Sequence, residues 1–119
     1  MEDIRLGEIE GRFVELIWQA EPIPSGDLVT LCERELSWKK STTYTVLRRL
    51  CQRGILQNKD AVVTSLIEKD DYMALRSEQV LEDSFEGSLP RFVAAFMSRK
   101  KLSKGQIDEI QKLIDDYRE

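Results

Sequence analysis

The stretch from Trp38 to Gly54, WKKSTTYTVLRRLCQRG, constrains this chain more than any other. At helical spacing Thr43, Val46, Leu47 and Leu50 fall on one side, the i, i+3, i+4, i+7 pattern of a core-facing stripe. The opposite side carries Ser41, Thr45, Arg48 and Gln52, flanked by Thr42 and Arg49. Gly54 follows Arg53 where a C-terminal cap glycine belongs. Three threonines, a serine and three arginines within thirteen residues make an unusual surface for a helix that only meets water. Short hydroxyls and guanidinium forks suit a helix that lies against phosphates and base edges. An ordinary amphipathic helix fits the same stretch, so the neighbours must discriminate.

Charge is the first discriminator. A formal net charge of −4 argues against nucleic acid until its distribution is read. Residues 1–33 carry two Lys/Arg against eight Asp/Glu, residues 34–59 seven against one, and residues 60–119 nine against thirteen. The middle block is therefore +6 and coincides with the amphipathic stretch, an electrostatic footprint that the overall pI hides. Cys32 and Cys51 lack metal-ligand spacing, and the chain has no histidine, which removes zinc fingers, His-based catalysis and most transition-metal sites. No metal, cofactor or catalytic residue is expected, and both cysteines read as small core residues in a reducing cytoplasm. The acidic opening MEDIRLGE has no apolar signal region, and no apolar run approaches the ~20 residues of a membrane span.

Along the chain, a first helix is expected from about Glu8 to Gln19, with Ile9, Phe13, Leu16 and Ile17 inward, Leu6 leading in, and Val14 and Trp18 widening the stripe. Glu21-Pro22-Ile23-Pro24 reads as a stiff linker. Ser25 reads as the N-cap of a short helix carrying Leu28, Leu31, Cys32 and Leu36, and Asp27 favours its first turn. A tight connection at Ser37–Lys39 then leads into the organising helix, a helix-turn-helix arrangement. After Gly54 the period changes, and Ile55–Asn58 and Val62–Leu66 read as two strands joined at Lys59-Asp60-Ala61. Such a hairpin behind a recognition-type helix is a wing. Helical patterning returns from Asp70 to Glu86, then after Gly87 with Ser88 as cap, and finally after a Ser103–Gln106 capping box. The last two helices carry apolar stripes, Leu89, Phe92, Val93 and Phe96, then Ile107, Ile110, Leu113, Ile114 and Tyr117. They could cover one another, but short helices leave much of such stripes exposed, and a symmetric dimer is the usual way to cover them.

The chain resembles the penicillinase-repressor family, bacterial winged-helix repressors of β-lactamase and methicillin-resistance operons with copper-responsive relatives. Ile17-Trp18 stands where that family's first helix ends in Leu-Trp. Trp38, Thr42, Thr45, Leu47, Arg49, Leu50 and Gly54 match its recognition segment. Phe85, Gly87, Ser88, Leu89, Phe92, Val93 and Phe96, then Leu102, Ser103, Ile107, Asp108 and Ile110, match its C-terminal segments in order. The resemblance implies a homodimer that binds a dyad-symmetric operator and represses transcription of β-lactam-resistance or related stress genes. By position it implies that Ser41, Thr42, Thr45 and Arg49 face DNA. The helix-face reading adds Arg48, with Lys39, Lys40 and Lys59 as phosphate anchors. Lys39-Lys40 replace the family's Ser-Pro-like start. Where the β-lactam branch is cleaved at Asn-Phe by a regulatory protease, this chain has Ala95-Phe96. The copper branch's C-terminal Cys-x-Cys array has no counterpart after Cys51.

The expected fold is mainly α with a small β-hairpin: a winged helix-turn-helix DNA-binding domain over residues 1–68 and a helical dimerisation subdomain over 69–119. The expected partners are double-stranded operator DNA, a second copy of the chain and a regulatory protease, with no membrane. A winged-helix protein-interaction adaptor is the main rival, and it has no use for +6 on the helix and its approaches. An RNA- or shape-reading binder is a further rival that would not need two-fold symmetry.

Overall fold

Phe13, Val14 and Ile17 of the first helix, α1 (Glu8–Ala20), are fully buried and fix where the core lies. The computed structural model describes residues 5–118, so the first four residues of the acidic opening lie outside it. Leu28 and Cys32 of α2 (Ser25–Leu36) and Val46, Leu47 and Leu50 of α3 (Lys40–Gln52) close over α1, with Ile55, Leu56 and Val63 from the following hairpin. Each fully buried Leu, Ile or Phe contributes about 1.5–3 kcal/mol, which anchors α3 by the stripe its sequence supplies. Between α2 and α3, Ser37 adopts a left-handed conformation (φ 57°), and the Trp38 ring packs on Phe13 with centroids 5.3 Å apart.

The hairpin is present, formed by β2 (Leu56–Lys59) and β3 (Val62–Ser65), and it gains a third strand. Ile23–Pro24, expected to be a linker, forms β1, which pairs antiparallel with β3 as Ile23 opposite Val63 and Pro24 opposite Val62. The sheet order is β1-β3-β2, with β1 an edge strand, where proline is tolerated. Lys59 belongs to β2, opposite Val62, and the turn is only Asp60-Ala61. Both turn residues have positive φ, 54° and 61°, the requirement of a type I′ hairpin turn.

Two local expectations are corrected. Ser25 is not a cap but the first residue of α2. Its N–H donates to the Ala61 carbonyl at 2.8 Å and its buried hydroxyl accepts from Tyr44 at 3.3 Å, so tertiary partners replace the capping role. Ile9 is 52% exposed, while Val14 is buried in its place. Both extend a stripe through Phe13 and Ile17, and the rotation of α1 against the sheet selects Val14.

The next helix, α4 (Lys69–Phe85), is tied at its start to the winged-helix core. Tyr72 is buried with its ring 5.5 Å from Trp18, Trp18 Nε1 donates to the Ile67 carbonyl at 3.0 Å, and Lys69 Nζ lies 2.7 Å from Glu15. The chain divides into two compact units inside α4, after Ser77. The second unit holds the rest of α4 with α5 (Leu89–Arg99) and α6 (Lys104–Tyr117). Ser88 caps α5 by accepting the Arg91 N–H at 3.2 Å, and Ser103 and Gln106 close a reciprocal capping box on α6. Phe92 is half-buried, edge-on to Phe85 at 5.6 Å and tilted against Phe96 at 6.1 Å. No residue of α5 or α6 is buried.

Candidate nucleic-acid interface

The two faces of α3 are sharply different. Thr43, Val46, Leu47 and Leu50 are buried, while Lys39, Lys40, Ser41, Thr42, Thr45, Arg48, Arg49 and Gln52 are exposed. Gly54, at φ 78°, ends the helix: its N–H donates to the Cys51 carbonyl and the Ile55 N–H to the Leu50 carbonyl, each at 3.0 Å. This is the Schellman arrangement, with Ile55 and Leu50 supplying its apolar contact. The helix is thereby fixed at its end by its own backbone and along its length by the core, leaving one rigid polar face outward.

At its start α3 has no side-chain cap and no acidic residue in the first turn, whereas α1, α2 and α4 carry Glu8 and Glu10, Asp27, and Asp70 and Asp71 there. The first-turn N–H groups of a helix are unpaired within it and carry partial positive charge, so Lys39 and Lys40 add full charges to a favourable dipole end. Thr45 Oγ1 donates to the Ser41 carbonyl at 2.9 Å. Its proton is thus occupied, and its lone pairs and methyl group face outward, suited to a base amino group or a thymine methyl.

The cations are not equivalent. Arg34 pairs with Glu35 at 3.3 Å, while Arg49 and Arg53 both approach Glu10 of α1, at 3.6 and 3.5 Å. Among the described residues, Lys39, Lys40 and Arg48 on α3 and its approach, and Lys59 on the wing, meet no carboxylate. The sequence places Arg49 simply on the outer flank of α3. The structure adds its partner Glu10, for which a separation of 39 positions offers no local signal.

Between α3 and β2 runs a shallow groove lined by Tyr44, Leu47, Arg48, Cys51 and Asn58. Burial pushes the Cys51 thiol up, partly opposed by the Asn58 backbone N–H, and burial likewise raises Cys32, partly opposed by the Thr43 hydroxyl. Neither sulfur is therefore a ready thiolate at neutral pH. Among the described residues no three His, Cys, Asp or Glu side chains converge on a point, and no helix is long and apolar enough to cross a membrane.

In the second unit, Leu89, Val93 and Phe96 of α5 and Ile107, Ile110, Leu113, Ile114 and Tyr117 of α6 are all exposed, Leu113 at 70% and Tyr117 at 90%. Met97 joins them at the end of α5. These positions lie on the apolar stripes of their helices, so the exposure is concentrated rather than scattered.

The sequence profile of the penicillinase repressor family matches residues 6–116. A curated relative, the penicillinase repressor of Bacillus licheniformis, is 23% identical over 118 residues, spanning 96% of this chain and 92% of its own. Among solved structures, the solution structure of monomeric Bacillus licheniformis BlaI in complex with the blaP half-operator shares 25% identity. Its TM-score is 0.51, over 60% of this chain and 94% of that one.

Proposed function

The chain belongs to the penicillinase repressor family, and on that footing we propose that it is a sequence-specific transcriptional repressor that binds a dyad-symmetric DNA operator as a homodimer. The observation that carries this reading is the outer face of α3 with its adjoining wing, where Lys39, Lys40, Arg48 and Lys59 stand exposed and meet no carboxylate among the described residues. The solved relative in complex with a half-operator supports the same use of the fold. A protein-interaction adaptor has no need for that concentration of positive charge in an acidic chain.

In this reading α3 enters the major groove. Lys39, Lys40 and Lys59 contact phosphates and set the register, Ser41, Thr42 and Arg48 line the approach, and Thr45 and Arg49 meet base edges. The exposed faces of α5 and α6 pair across a two-fold axis through Leu89, Phe92, Val93, Phe96, Ile107, Ile110, Leu113, Ile114 and Tyr117. Two heads joined in this way bind one operator through a single linkage, and the second contact becomes intramolecular. A regulatory protease that cut the chain between about residues 86 and 102 would separate the heads and release the operator. The genes controlled are those of β-lactam resistance or a related stress response, and the protein itself performs no catalysis.

The test combines sedimentation with fluorescence anisotropy on a duplex enriched from a randomised pool by the wild-type protein. Replacing Leu113 and Ile114 together by Asp should give a folded monomer whose affinity for that duplex falls by about 100-fold or more. A double variant that remained dimeric would remove α6 from the interface. A wild-type protein that enriched no duplex over mixed sequence would overturn the DNA-binding reading.

A further inference from the structure

Arg49 in the last turn of α3 and Arg53 at its C-cap are held differently from Lys40 and Arg48 on the same helix. Glu10 of α1, whose side chain is only 20% exposed, lies 3.6 Å from Arg49 Nε through Oε2 and 3.5 Å from Arg53 Nη1 through Oε1. The same Oε1 accepts the Gly7 N–H at 3.2 Å, which fixes the carboxylate to the first turn of its own helix. Arg53 is further held by donating Nη2 to the Arg5 carbonyl at 2.7 Å. Arg49 remains 56% exposed, and a pairing through Nε leaves the two terminal nitrogens of its fork outside this contact.

We propose that Glu10 is a specificity-determining positioning residue, holding Arg49 against α1 so that the arginine meets a base edge in one orientation and is withheld from indiscriminate phosphate contact. The inference rests on the DNA-binding reading above. A surface arginine without a partner strengthens binding to any duplex, because counterion release from phosphates is independent of sequence. A carboxylate 3.6 Å away offsets that gain whenever the arginine stays paired, and a phosphate must compete for it. Because the pair runs through Nε, the terminal nitrogens can meet a guanine edge with the pair still closed, whereas a phosphate that draws Arg49 away from α1 must break it, and one phosphate contact only roughly balances that loss. Glu10 therefore penalises wrong sites more than the right one. It acts through Arg49 without touching DNA, and its rigidity comes from the Gly7 N–H that orients it.

Glu10→Gln is the informative change, because the amide oxygen still accepts the Gly7 N–H while the charge is removed. Binding is measured by anisotropy over a salt series on two probes, a mixed-sequence duplex and the duplex enriched by wild-type protein. Affinity for the mixed sequence should rise about threefold and its salt dependence should steepen by about 0.9, one added phosphate contact. Affinity for the enriched duplex should not rise, so discrimination falls by about threefold. In an Arg49→Ala background the same Glu10→Gln change should lose most of its effect. A salt slope and mixed-sequence affinity equal to wild type would overturn the proposal. An effect of full size in the Arg49→Ala background would overturn it too, by making Glu10 act through Arg53 or as a long-range charge and not through Arg49. If the wild-type protein distinguished neither duplex, the DNA-binding reading would fail first, and this inference with it.

Discussion

The wing turn offers a stability prediction that can be worked through from backbone geometry. Ala61 sits at φ 61° as the second residue of the two-residue turn between Lys59 and Val62. A residue with a Cβ costs about 1–2 kcal/mol in the left-handed region, because the Cβ crowds the following carbonyl. Asp60, at φ 54°, suffers less because Asp forms local hydrogen bonds in turns. Ala61→Gly removes the Cβ but adds about 0.5–1 kcal/mol of chain entropy to be lost on folding. The methyl is exposed and buries little, and the Ala61 carbonyl that accepts the Ser25 N–H at 2.8 Å is kept by glycine. The net expectation is a gain of about 0.5–1 kcal/mol, a rise in Tm of roughly 2–8 °C for a cooperative unit of this size. Thermal and urea unfolding followed by circular dichroism would measure it. Ala61→Val, branched at the Cβ, should move stability in the opposite direction by about 1 kcal/mol or more. An Ala61→Gly protein no more stable than wild type would mean that the turn does not hold this residue in the left-handed region.

Two further outcomes are expected. The Lys69 ammonium beside Glu15 holds that carboxyl below its usual value, despite an opposing contribution from burial. A depressed folded-state pKa stabilises above the unfolded value and is lost as pH falls through the folded one. The stability difference between wild type and Glu15→Gln should therefore be constant above pH 4.5 and shrink below it, and a difference that grew on acidification would contradict the pairing. Because burial raises both thiols, iodoacetamide should label the folded protein slowly, with half-buried Cys51 modified before buried Cys32, and unfolding should accelerate both. Peptide mass spectrometry reads the order, and faster labelling of Cys32 would contradict the packing.

What could be read from the sequence follows the range of the forces involved. The burial of Thr43, Val46, Leu47 and Leu50 repeats at helical spacing, because one face of α3 meets a single core and that repetition is written along the chain. The caps at Ser88 and Ser103 are equally local, each needing only a hydroxyl three residues from its N–H. The strand Ile23–Pro24 was hidden because its partner, Val62–Val63, lies about forty positions away, and Pro24 within it and Pro22 before it speak against a sheet. Ser25 carries a cap's side chain, yet the Ala61 carbonyl and Tyr44 hydroxyl occupy the groups a cap would use. On α1 the choice between Ile9 and Val14 depends on helix rotation, which periodicity leaves open. The pairing of Glu10 with Arg49 is tertiary in the same way: composition shows acid before base, and only the packing of α1 on α3 makes one the partner of the other.

That pairing bears on why a DNA-binding protein should be acidic at all. A block of +6 lies between segments of −6 and −4, so the chain as a whole, at −4, repels the polyanion that one face is proposed to attract. Sequence-independent attraction grows with every cation that reaches a phosphate, and on the proposed reading it is kept low in two ways. Acidic segments flank the basic block in the sequence, and Glu10 ties down two of the block's arginines. A single head built in this way holds DNA weakly except where the α3 face fits the bases. Tight occupancy then requires two heads on one operator, joined through the exposed apolar faces of α5 and α6, since linkage raises avidity by about 10²–10⁴ without any new DNA contact. If the protein is the proposed dimer, the same arithmetic makes it easy to switch off. A head with strong non-specific affinity would stay on DNA after its partner was severed, whereas a weakly charged head must leave. On the proposed reading, charge restraint on the first unit and apolar exposure on the second are two halves of one device, each ineffective without the other.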